Sequence, residues 1–253
     1  MIGIDTARVT PQLSLVLFDL DDTLFAHREA VDLGITAHRA SLDSAAFDPD
    51  DASEIRRWHE LEEQHYHRYL SGEIDFLGQR RARARDFVAA YGIDVDDAGA
   101  QRWYEEYYRD YERAWALHPD TLPCLDELRR TIPGVRFGLI TNGERDYQTE
   151  KVEALGLTPH IEHLVTSGEF GITKPDARIF HHACALFDVA PVRAAYIGDR
   201  LHTDAIGAAD AGLTGVWLDR RGSATETELA EAAASGVIVL HSLSELLTSL
   251  TAR

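Results

Sequence analysis

The chain has almost no lysine, although 25 of its 253 residues are basic. Lys151 and Lys174 are the only two lysines, and every other basic residue is an arginine. The two residue types are not interchangeable, because a lysine ammonium is a compact point charge whereas an arginine guanidinium is planar. Lys174, which directly precedes Pro175, is therefore a candidate for a specific role, and an ordinary surface lysine is the alternative.

Cysteines and long apolar runs are scarce as well. Cys124 and Cys184 are the only cysteines, which fits neither a disulfide framework nor a zinc site and favours a reducing compartment. No apolar stretch is long enough to span a bilayer, and the sequence begins without a basic segment followed by an apolar one. We therefore expect a cytoplasmic protein with no membrane partner.

Basic clusters are also missing, and acidic residues give the chain a net charge of -18. Nucleic acids and anionic membranes bind to basic faces, and no long run of Lys and Arg is present. We therefore expect no nucleic-acid partner. The sequence leaves a monomer and a homodimer equally open.

Short apolar runs alternate with helical patterns along most of the chain, which is typical of βαβ units and a parallel sheet. The predicted strands are the run ending at Phe18 and residues 135–140, 163–166, 194–197, 216–218 and 237–240. The predicted helices between them are residues 122–130, 147–155, 177–187, 204–211, 225–234 and 243–250. Residues 26–117 contain no convincing strand, and their predicted helices are 29–42, 52–70, 76–91 and 98–116. The sequence thus predicts an α/β fold with a helical insertion.

Two carboxylates, Asp19 and Asp21, follow the first predicted strand. In open α/β sheets, ligands bind beyond the carboxyl ends of such buried parallel strands. The same Asp-x-Asp spacing recurs at residues 48–50 and 94–96, but neither copy follows a strand-like run, and turns or helix N-caps explain both. Only Asp19 and Asp21 follow a predicted strand, where a catalytic or binding site is expected.

Three further motifs follow along the chain, and the first and third of them come at the ends of predicted strands. They are Thr141-Asn142, Lys174-Pro175, and Gly198-Asp199 with Asp204 five residues on. A plain turn is the alternative for Thr141-Asn142 taken alone. Together with the two acids, these motifs predict an acidic site that binds a cation and a phosphate group.

The acidic residues suit phosphoryl transfer. A carboxylate at Asp19 can attack phosphorus and form an aspartyl-phosphate. Asp21 could protonate the leaving oxygen and later deprotonate the attacking water. Carboxylates repel each other, and a Mg²⁺ ion held by carboxylates and substrate phosphate would neutralise their charge. We assign the cation to Asp19, Asp21 and Asp199, with Asp204 orienting its ligands.

The other motif residues suit the phosphate group. Thr141 offers a hydroxyl, and Asn142 offers a backbone N–H where a strand turns into a loop. Lys174 would neutralise the nucleophile and the transferring phosphoryl group. Histidines are a competing metal site, but pairs such as His65 and His67, two residues apart, point to different faces of a helix.

These motifs resemble the four motifs of the haloacid dehalogenase-like (HAD) hydrolase superfamily, along the whole chain. The resemblance implies a Rossmann-like parallel-sheet core from residues 1–25 and 118–253, with an inserted all-helical cap at residues 26–117. By motif position it implies the same roles: Asp19 as nucleophile, Asp21 as acid and base, Thr141 and Lys174 as phosphate ligands, and Asp199 as metal ligand. The dehalogenases lack the second acid, so Asp21 indicates the phosphatase branch.

The fourth motif departs from the superfamily pattern, because Arg200 stands where a small hydroxyl residue often follows Gly-Asp. Arg200 and His202 either touch substrate or face solvent. Residues 68–74 are similar to the caps of the nucleotide and acylneuraminate-9-phosphate phosphatases. Within the cap we expect Arg28 and Glu73 to contact the substrate, and a solvated linker or turn is the alternative for both.

The sequence therefore predicts a Mg²⁺-dependent phosphomonoesterase whose partner is a small phosphate ester, such as a nucleoside monophosphate or a sugar phosphate. Two other functions fit the same residues. One is a phosphotransferase or phosphomutase, which must exclude water and hold a second hydroxyl. The other is a catalytically idle binding or regulatory protein. A phosphate-release assay separates the three.

Overall fold

The computed structural model describes residues 13–42 and 51–251, and the Asp-x-Asp copy at residues 48–50 lies outside them. The chain divides into two compact units. One unit is Ala26–Ala116, and the other joins the described residues before Ala26 to those from Leu117 onward. We call them the helical unit and the sheet unit.

The helical unit contains the four helices predicted for it. They are α1 (His27–Ser41), α2 (Asp51–Leu70), α3 (Phe76–Ala89) and α4 (Asp97–Arg113). The third and fourth end two and three residues earlier than predicted, because the chain tightens there into three-residue turns, such as the bond from the Ala114 N–H to the Tyr111 carbonyl. Asp96 caps α4 by accepting a hydrogen bond from the Gly99 N–H at 2.7 Å, as predicted for the copy at 94–96.

Aromatic rings fill the interior of the helical unit. Trp58 in α2 is fully buried, and its ring centroid lies 5.1 Å from that of Phe87 and 4.7 Å from that of Tyr107. The Arg83 guanidinium lies 4.5 Å from the Trp58 ring and is bonded to Glu62. The planar cation thus packs against a ring face while a carboxylate neutralises it.

Six strands of the sheet unit, all paired in parallel, form one sheet among the described residues. They are β1 (Leu15–Phe18), β2 (Arg136–Thr141), β3 (His163–Thr166), β4 (Ala194–Gly198), β5 (Thr214–Leu218) and β6 (Ile238–Leu240). Their order is β3-β2-β1-β4-β5-β6, so β1 lies at the centre. The predicted parallel α/β core is confirmed, and each predicted strand matches one of these within two residues.

The strand register brings the ends of β1, β2 and β4 within two residues of one another. All of β1 is fully buried, as expected for a continuous apolar strand in a covered parallel sheet. Phe18 pairs with Leu139 of β2 and with Ile197 of β4. The Asp19 N–H continues the ladder by donating to the Ile197 carbonyl at 2.8 Å. Asp19 therefore leaves the sheet beside the last residues of β2 and β4.

Seven helices of this unit lie before, between and after strands β2 to β6 among the described residues. They are α5 (Thr121–Thr131), α6 (Arg145–Ala154), α7 (Ser167–Phe170), α8 (Ala177–Leu186), α9 (Gly207–Asp210), α10 (Glu226–Ala234) and α11 (Leu246–Thr251). The one-turn α7 was not predicted, and the predicted helix at 243–250 begins as a 3-10 turn over Leu243–Glu245. Within residues 13–42 and 51–251, no helix combines the length and the apolar character that crossing a membrane requires.

The predicted helix at 204–211 is wrong over its first half. Leu201–Ile206 forms a wider π turn, and α9 follows it. In this turn the Ala205 N–H reaches back five residues to the Arg200 carbonyl at 3.3 Å. The turn contains Asp204, whose side chain is bonded to a residue outside it, and helical periodicity carries no information about such a tertiary bond.

Replacing Trp58 with alanine should lower the free energy of unfolding by about 3–5 kcal/mol, because removing a fully buried ring leaves a cavity among the other aromatic side chains. Leu33→Ala is the control, since Leu33 lies in α1 with 60% of its surface exposed, and it should change stability by about 0.5 kcal/mol or less. Urea unfolding followed by far-UV circular dichroism measures both. An equal loss of unfolding free energy in the two variants would contradict the placement of Trp58 in the core of the helical unit.

Candidate active site

A buried lysine ammonium lies at the centre of the predicted site. Lys174 Nζ is 2.6 Å from Asp19 Oδ1, 2.7 Å from Asp204 Oδ1 and 2.7 Å from the Tyr196 hydroxyl oxygen. These acceptors match the three N–H donors of an ammonium. Burial lowers the pKa of Lys174, but the two carboxylates outweigh burial and raise that pKa above its ordinary value of 10.5. The group is a fixed positive charge, so the alternative of a surface lysine is wrong.

The main chain of Lys174 is held by Asn142, the residue that follows β2. Asn142 Oδ1 accepts from the Lys174 N–H at 2.8 Å, and Asn142 Nδ2 donates to the Lys174 carbonyl at 3.1 Å. Both ends of this side-chain amide therefore position Lys174. Because its side chain is occupied by Lys174, Asn142 would contact a phosphate through its backbone N–H. Thr141, the preceding residue, is buried at the end of β2.

Asp204 packs against the end of β4. Its Oδ2 accepts from the Arg200 N–H at 3.0 Å, while its Oδ1 accepts from Lys174. A Cβ atom on Gly198 would lie 2.4 Å from the Asp204 Cγ, a distance that real Cβ atoms essentially never reach. Position 198 therefore requires glycine for the Asp204 carboxylate to occupy this place.

A third carboxylate, Asp199, lies close to the two that bond this ammonium. Asp19, Asp199 and Asp204 each offer an oxygen within 4.8 Å of the others. Burial raises the pKa of Asp19 to about 7, because Lys174 offsets burial and the neighbouring negative charges only in part. Burial, followed by the charges of Asp204 and Asp19, raises the pKa of Asp199 well above its ordinary value. One ammonium leaves negative charge unbalanced, and an all-oxygen donor set with excess negative charge fits Mg²⁺.

Asp21 is not a member of that group of three, and it contacts the other lysine. It follows β1 in a tight turn in which the Asp22 N–H donates to the Phe25 carbonyl at 2.8 Å. Asp21 Oδ1 accepts from Lys151 Nζ at 2.7 Å, and its Oδ2 lies 3.4 Å from Gln148 Nε2. The second acid of the first motif is thus paired with the second lysine of the chain.

Sequence reasoning missed three residues that position these groups: Lys151, Tyr196 and Trp217. The Tyr196 hydroxyl accepts from Lys174 and donates to a main-chain carbonyl of β2 at 2.9 Å. Trp217 Nε1 donates to the Asp199 carbonyl at 2.9 Å. Both aromatic residues lie in buried strands, where the sequence pattern indicates only core packing. The scarcity of lysine was the one signal that could have identified Lys151.

Arg28 and Glu73, which we expect to contact substrate, lie in the helical unit. Arg28 is a partly buried residue of α1. Glu73 is exposed in the turn after α2, where its Oε1 is 2.6 Å from Arg68 Nη2. Main-chain hydrogen bonds hold the turn, among them that from the Glu73 N–H to the Arg68 carbonyl at 2.9 Å. The substrate contacts of both residues stay predictions.

The histidines bind carboxylates at separate places. His65 Nε2 is 2.8 Å from Asp86 Oδ2 in α3, whereas His67 Nε2 is 3.5 Å from Glu63 Oε2 in α2. Their rings point to different faces of α2, as predicted. His202 is exposed and lies 2.9 Å from a glutamate of α10, which accounts for its position without a substrate.

The chain matches one protein family and is similar in sequence to two phosphatases. Residues 13–212 match the haloacid dehalogenase-like hydrolase family. The human N-acylneuraminate-9-phosphatase is 30% identical over 214 residues, which cover 82% of this chain and 83% of that protein. Phosphoserine phosphatase of Thermus thermophilus is 41% identical over 121 residues, and this match spans only about half of that protein, at 47% of its length and 48% of this chain.

The solved structures share the fold. The HAD-hydrolase YfnB from Bacillus subtilis, in a structure bound to magnesium, aligns with a TM-score of 0.76. The alignment covers 95% of this chain and 99% of that chain at 19% sequence identity. At this identity the likeness extends to the architecture alone.

Lys174→Met should lower stability by about 3–5 kcal/mol near neutral pH, because it leaves buried carboxylates without their cation. The loss should grow with pH. Asp19 already has a folded pKa above its ordinary value of 3.8, so its contribution to stability falls as pH rises through the folded value. Without the ammonium that pKa rises further, and the fall becomes larger.

Urea unfolding in EDTA at pH 5.5 and pH 8 tests this dependence. The control is Arg178→Met, which removes an exposed ion pair with Asp176 and should cost about 1 kcal/mol or less at either pH. A Lys174→Met loss that is the same at both pH values would contradict the charge balance described above.

Proposed function

The chain belongs to the haloacid dehalogenase-like hydrolases, as its motifs predicted, and we propose a Mg²⁺-dependent phosphomonoesterase that forms an aspartyl-phosphate on Asp19. It is a hydrolase of phosphoric monoesters, like the phosphatases of small metabolites that it resembles. The observation that carries the proposal is the Asp19 carboxylate at the edge of the sheet, bonded to Lys174 and close to Asp199.

In the first step Asp19 attacks the phosphorus of the ester. Lys174 bonds Asp19 Oδ1, which leaves Oδ2 as the attacking oxygen. The P–O bond to the alcohol breaks as the bond from Asp19 to phosphorus forms. Lys174 stabilises the charge on the transferring group, and the Thr141 hydroxyl and the Asn142 N–H donate to its oxygens.

Asp21 handles the proton in both steps. As a carboxylic acid it donates its proton to the leaving alcohol oxygen, and it becomes a carboxylate. In the second step that carboxylate takes a proton from water as the water oxygen attacks the phosphorus of the aspartyl-phosphate. Inorganic phosphate leaves, Asp19 is restored, and Asp21 is again protonated.

We assign the cation to Asp19 and Asp199. Asp204 positions Asp19 through Lys174, and it accepts from the N–H of Arg200, the residue after Asp199. When bound, Mg²⁺ would neutralise the carboxylates and polarise the phosphoryl oxygens. The side-chain oxygens of Asp21 lie against Lys151 and Gln148. The contribution of Asp21 to the cation stays a prediction.

Hydrolysis is favoured over the two alternative functions. A phosphotransferase or phosphomutase would use the same acids but needs a second hydroxyl group as acceptor. An idle binding protein has no need for two acids that each face a separate buried lysine. The phosphatase names of the relatives support hydrolysis over transfer.

The relatives also guide the substrate class. Phosphoserine and N-acylneuraminate 9-phosphate are both phosphate esters of a primary alcohol. We therefore place sugar phosphates and nucleoside 5′-monophosphates, whose phosphate is carried on a primary alcohol, first among the substrates. In this proposal residues 26–117 act as a cap that selects the leaving group, because an inserted domain can enclose a small molecule and exclude water. Arg28 and Glu73 are its candidate contacts.

We also propose a cytoplasmic location. The two cysteines, Cys124 and Cys184, are free and buried. Free thiols are typical of reducing compartments, where disulfides are rare. The proposed partner there is a small phosphate ester, bound by a monomer or a homodimer.

Asp19→Asn should lower Mg²⁺-dependent hydrolysis of 4-nitrophenyl phosphate by on the order of 10⁴-fold or more, because the nucleophile and a cation ligand are lost together. Released phosphate measures the rate, and circular dichroism measures the fold. Asp188→Asn, a change of the same kind at an exposed position of the sheet unit, should keep full activity. Undiminished turnover by Asp19→Asn would refute the mechanism.

Arg28→Ala and Glu73→Ala should change the order in which phosphorylated metabolites are hydrolysed, while 4-nitrophenyl phosphate is hydrolysed at a similar rate. The reason is that cap residues touch the alcohol part of the ester and not its phosphate. A screen of sugar phosphates and nucleoside monophosphates measures kcat/KM for each variant. Glu105→Ala, at an exposed position of α4, is the control. If both variants keep the wild-type order, these two positions do not choose the substrate.

A further inference from the structure

We propose that Lys151 is a positioning residue for Asp21, and that it orients the Asp21 carboxylate for proton transfer to the leaving alcohol. The inference rests on the proposed function, in which Asp21 is the proton donor. Lys151 does not touch the reacting atoms in this scheme. It acts through the carboxylate to which it is bonded.

The geometry of the pair is specific. Lys151 Nζ is 2.7 Å from Asp21 Oδ1, although the two residues are 130 positions apart in the sequence. Only 8% of the Lys151 side chain is exposed, and its ammonium lies 5.2 Å from the centroid of the Phe25 ring. Gln148, one turn earlier on α6, approaches the other oxygen of Asp21 at 3.4 Å. Two residues on one face of α6 therefore contact both carboxylate oxygens of Asp21.

Asp21 is more exposed to solvent than Asp19, so the orientation of its carboxylate depends on the hydrogen bonds it accepts. Its side chain is 29% exposed, compared with 9% for Asp19. The terminal torsion of an aspartate is broad, so its carboxylate plane is set by hydrogen bonds and not by a rotamer well. Proton transfer requires an approach within hydrogen-bond reach, and a misplacement of about 1 Å can cost on the order of 10²-fold in rate.

A purely structural ion pair explains Lys151 less well. Burying an ammonium requires desolvation, and such pairs contribute little net stability compared with apolar residues of similar volume. The chain uses arginine at its other basic positions, and both of its lysines contact an acid of the first motif. A compact ammonium bonds one carboxylate oxygen, whereas a guanidinium tends to occupy both.

The test separates positioning of a proton donor from general damage. Benzyl, phenyl and 4-nitrophenyl phosphate are esters of similar size whose leaving oxygens become progressively less basic. Loss of a proton donor slows the benzyl ester most, because a basic leaving oxygen must be protonated, and the 4-nitrophenyl ester least. The value measured is kcat/KM, which reports the steps up to departure of the alcohol.

Lys151→Met should lower kcat/KM for benzyl phosphate by on the order of 10–10²-fold and change that for 4-nitrophenyl phosphate by about threefold or less. Asp21→Asn should show the same dependence on the ester, but steeper. Lys151→Arg, which keeps a charged donor, should recover part of the benzyl rate. Arg145→Met, an exposed change on the same helix, should leave all three rates unchanged.

The ratio of benzyl to 4-nitrophenyl rates is the decisive value, because it does not depend on the fraction of enzyme that is folded. Lys151→Gln provides a second neutral variant if the methionine variant gives too little protein. A ratio unchanged in both neutral variants, together with a fall in Asp21→Asn, would overturn the role of Lys151 and leave the proposed function intact. A ratio unchanged in Asp21→Asn itself would overturn the acid–base role of Asp21 and the inference with it.

Discussion

Charge balance around the Lys174 ammonium is the constraint on which the site depends. Lys174 bonds Asp19 after β1, Tyr196 in β4 and Asp204 in the π turn. Asn142, after β2, fixes its main chain. One cation therefore joins the three neighbouring strands β2, β1 and β4 to the turn that follows β4. A buried carboxylate without a partner costs several kcal/mol. Each of these segments therefore keeps its place only while the others keep theirs.

The part of this site that could be predicted from the sequence is the part that local pattern determines. Asp19 follows an apolar run and Asp96 does not, and that difference distinguishes a residue at the sheet edge from a helix cap with the same spacing. The bond between Lys151 and Asp21 could not be predicted, because it depends on where α6 packs in three dimensions. The π turn around Asp204 escaped prediction for the same reason, since Asp204 is bonded to an ammonium distant in the sequence, of which helical periodicity carries no sign.

The scarcity of lysine also has a counterpart in the helical unit, where arginines pack against aromatic rings. The guanidinium of Arg57 lies 4.0 Å from the centroid of the Phe87 ring, and that of Arg83 lies 4.5 Å from the Trp58 ring. A guanidinium can stack on a ring and still donate hydrogen bonds in its own plane, which an ammonium cannot do. Arg57 and Arg83 thus pack closely against aromatic rings, whereas both lysines are bonded to carboxylates of the site.

That division has a consequence for the chemical reactivity of the protein. Apart from the α-amino group, the primary amines of the chain are those of Lys151 and Lys174, and both are buried and ion-paired with acids of the site. Acylating labels, aldehydes and amine crosslinkers, which modify the outside of most proteins, find no lysine on this surface. Side-chain modification by such a reagent would instead report that the region around the acids has opened. For this chain, ordinary amine chemistry becomes a probe of site exposure.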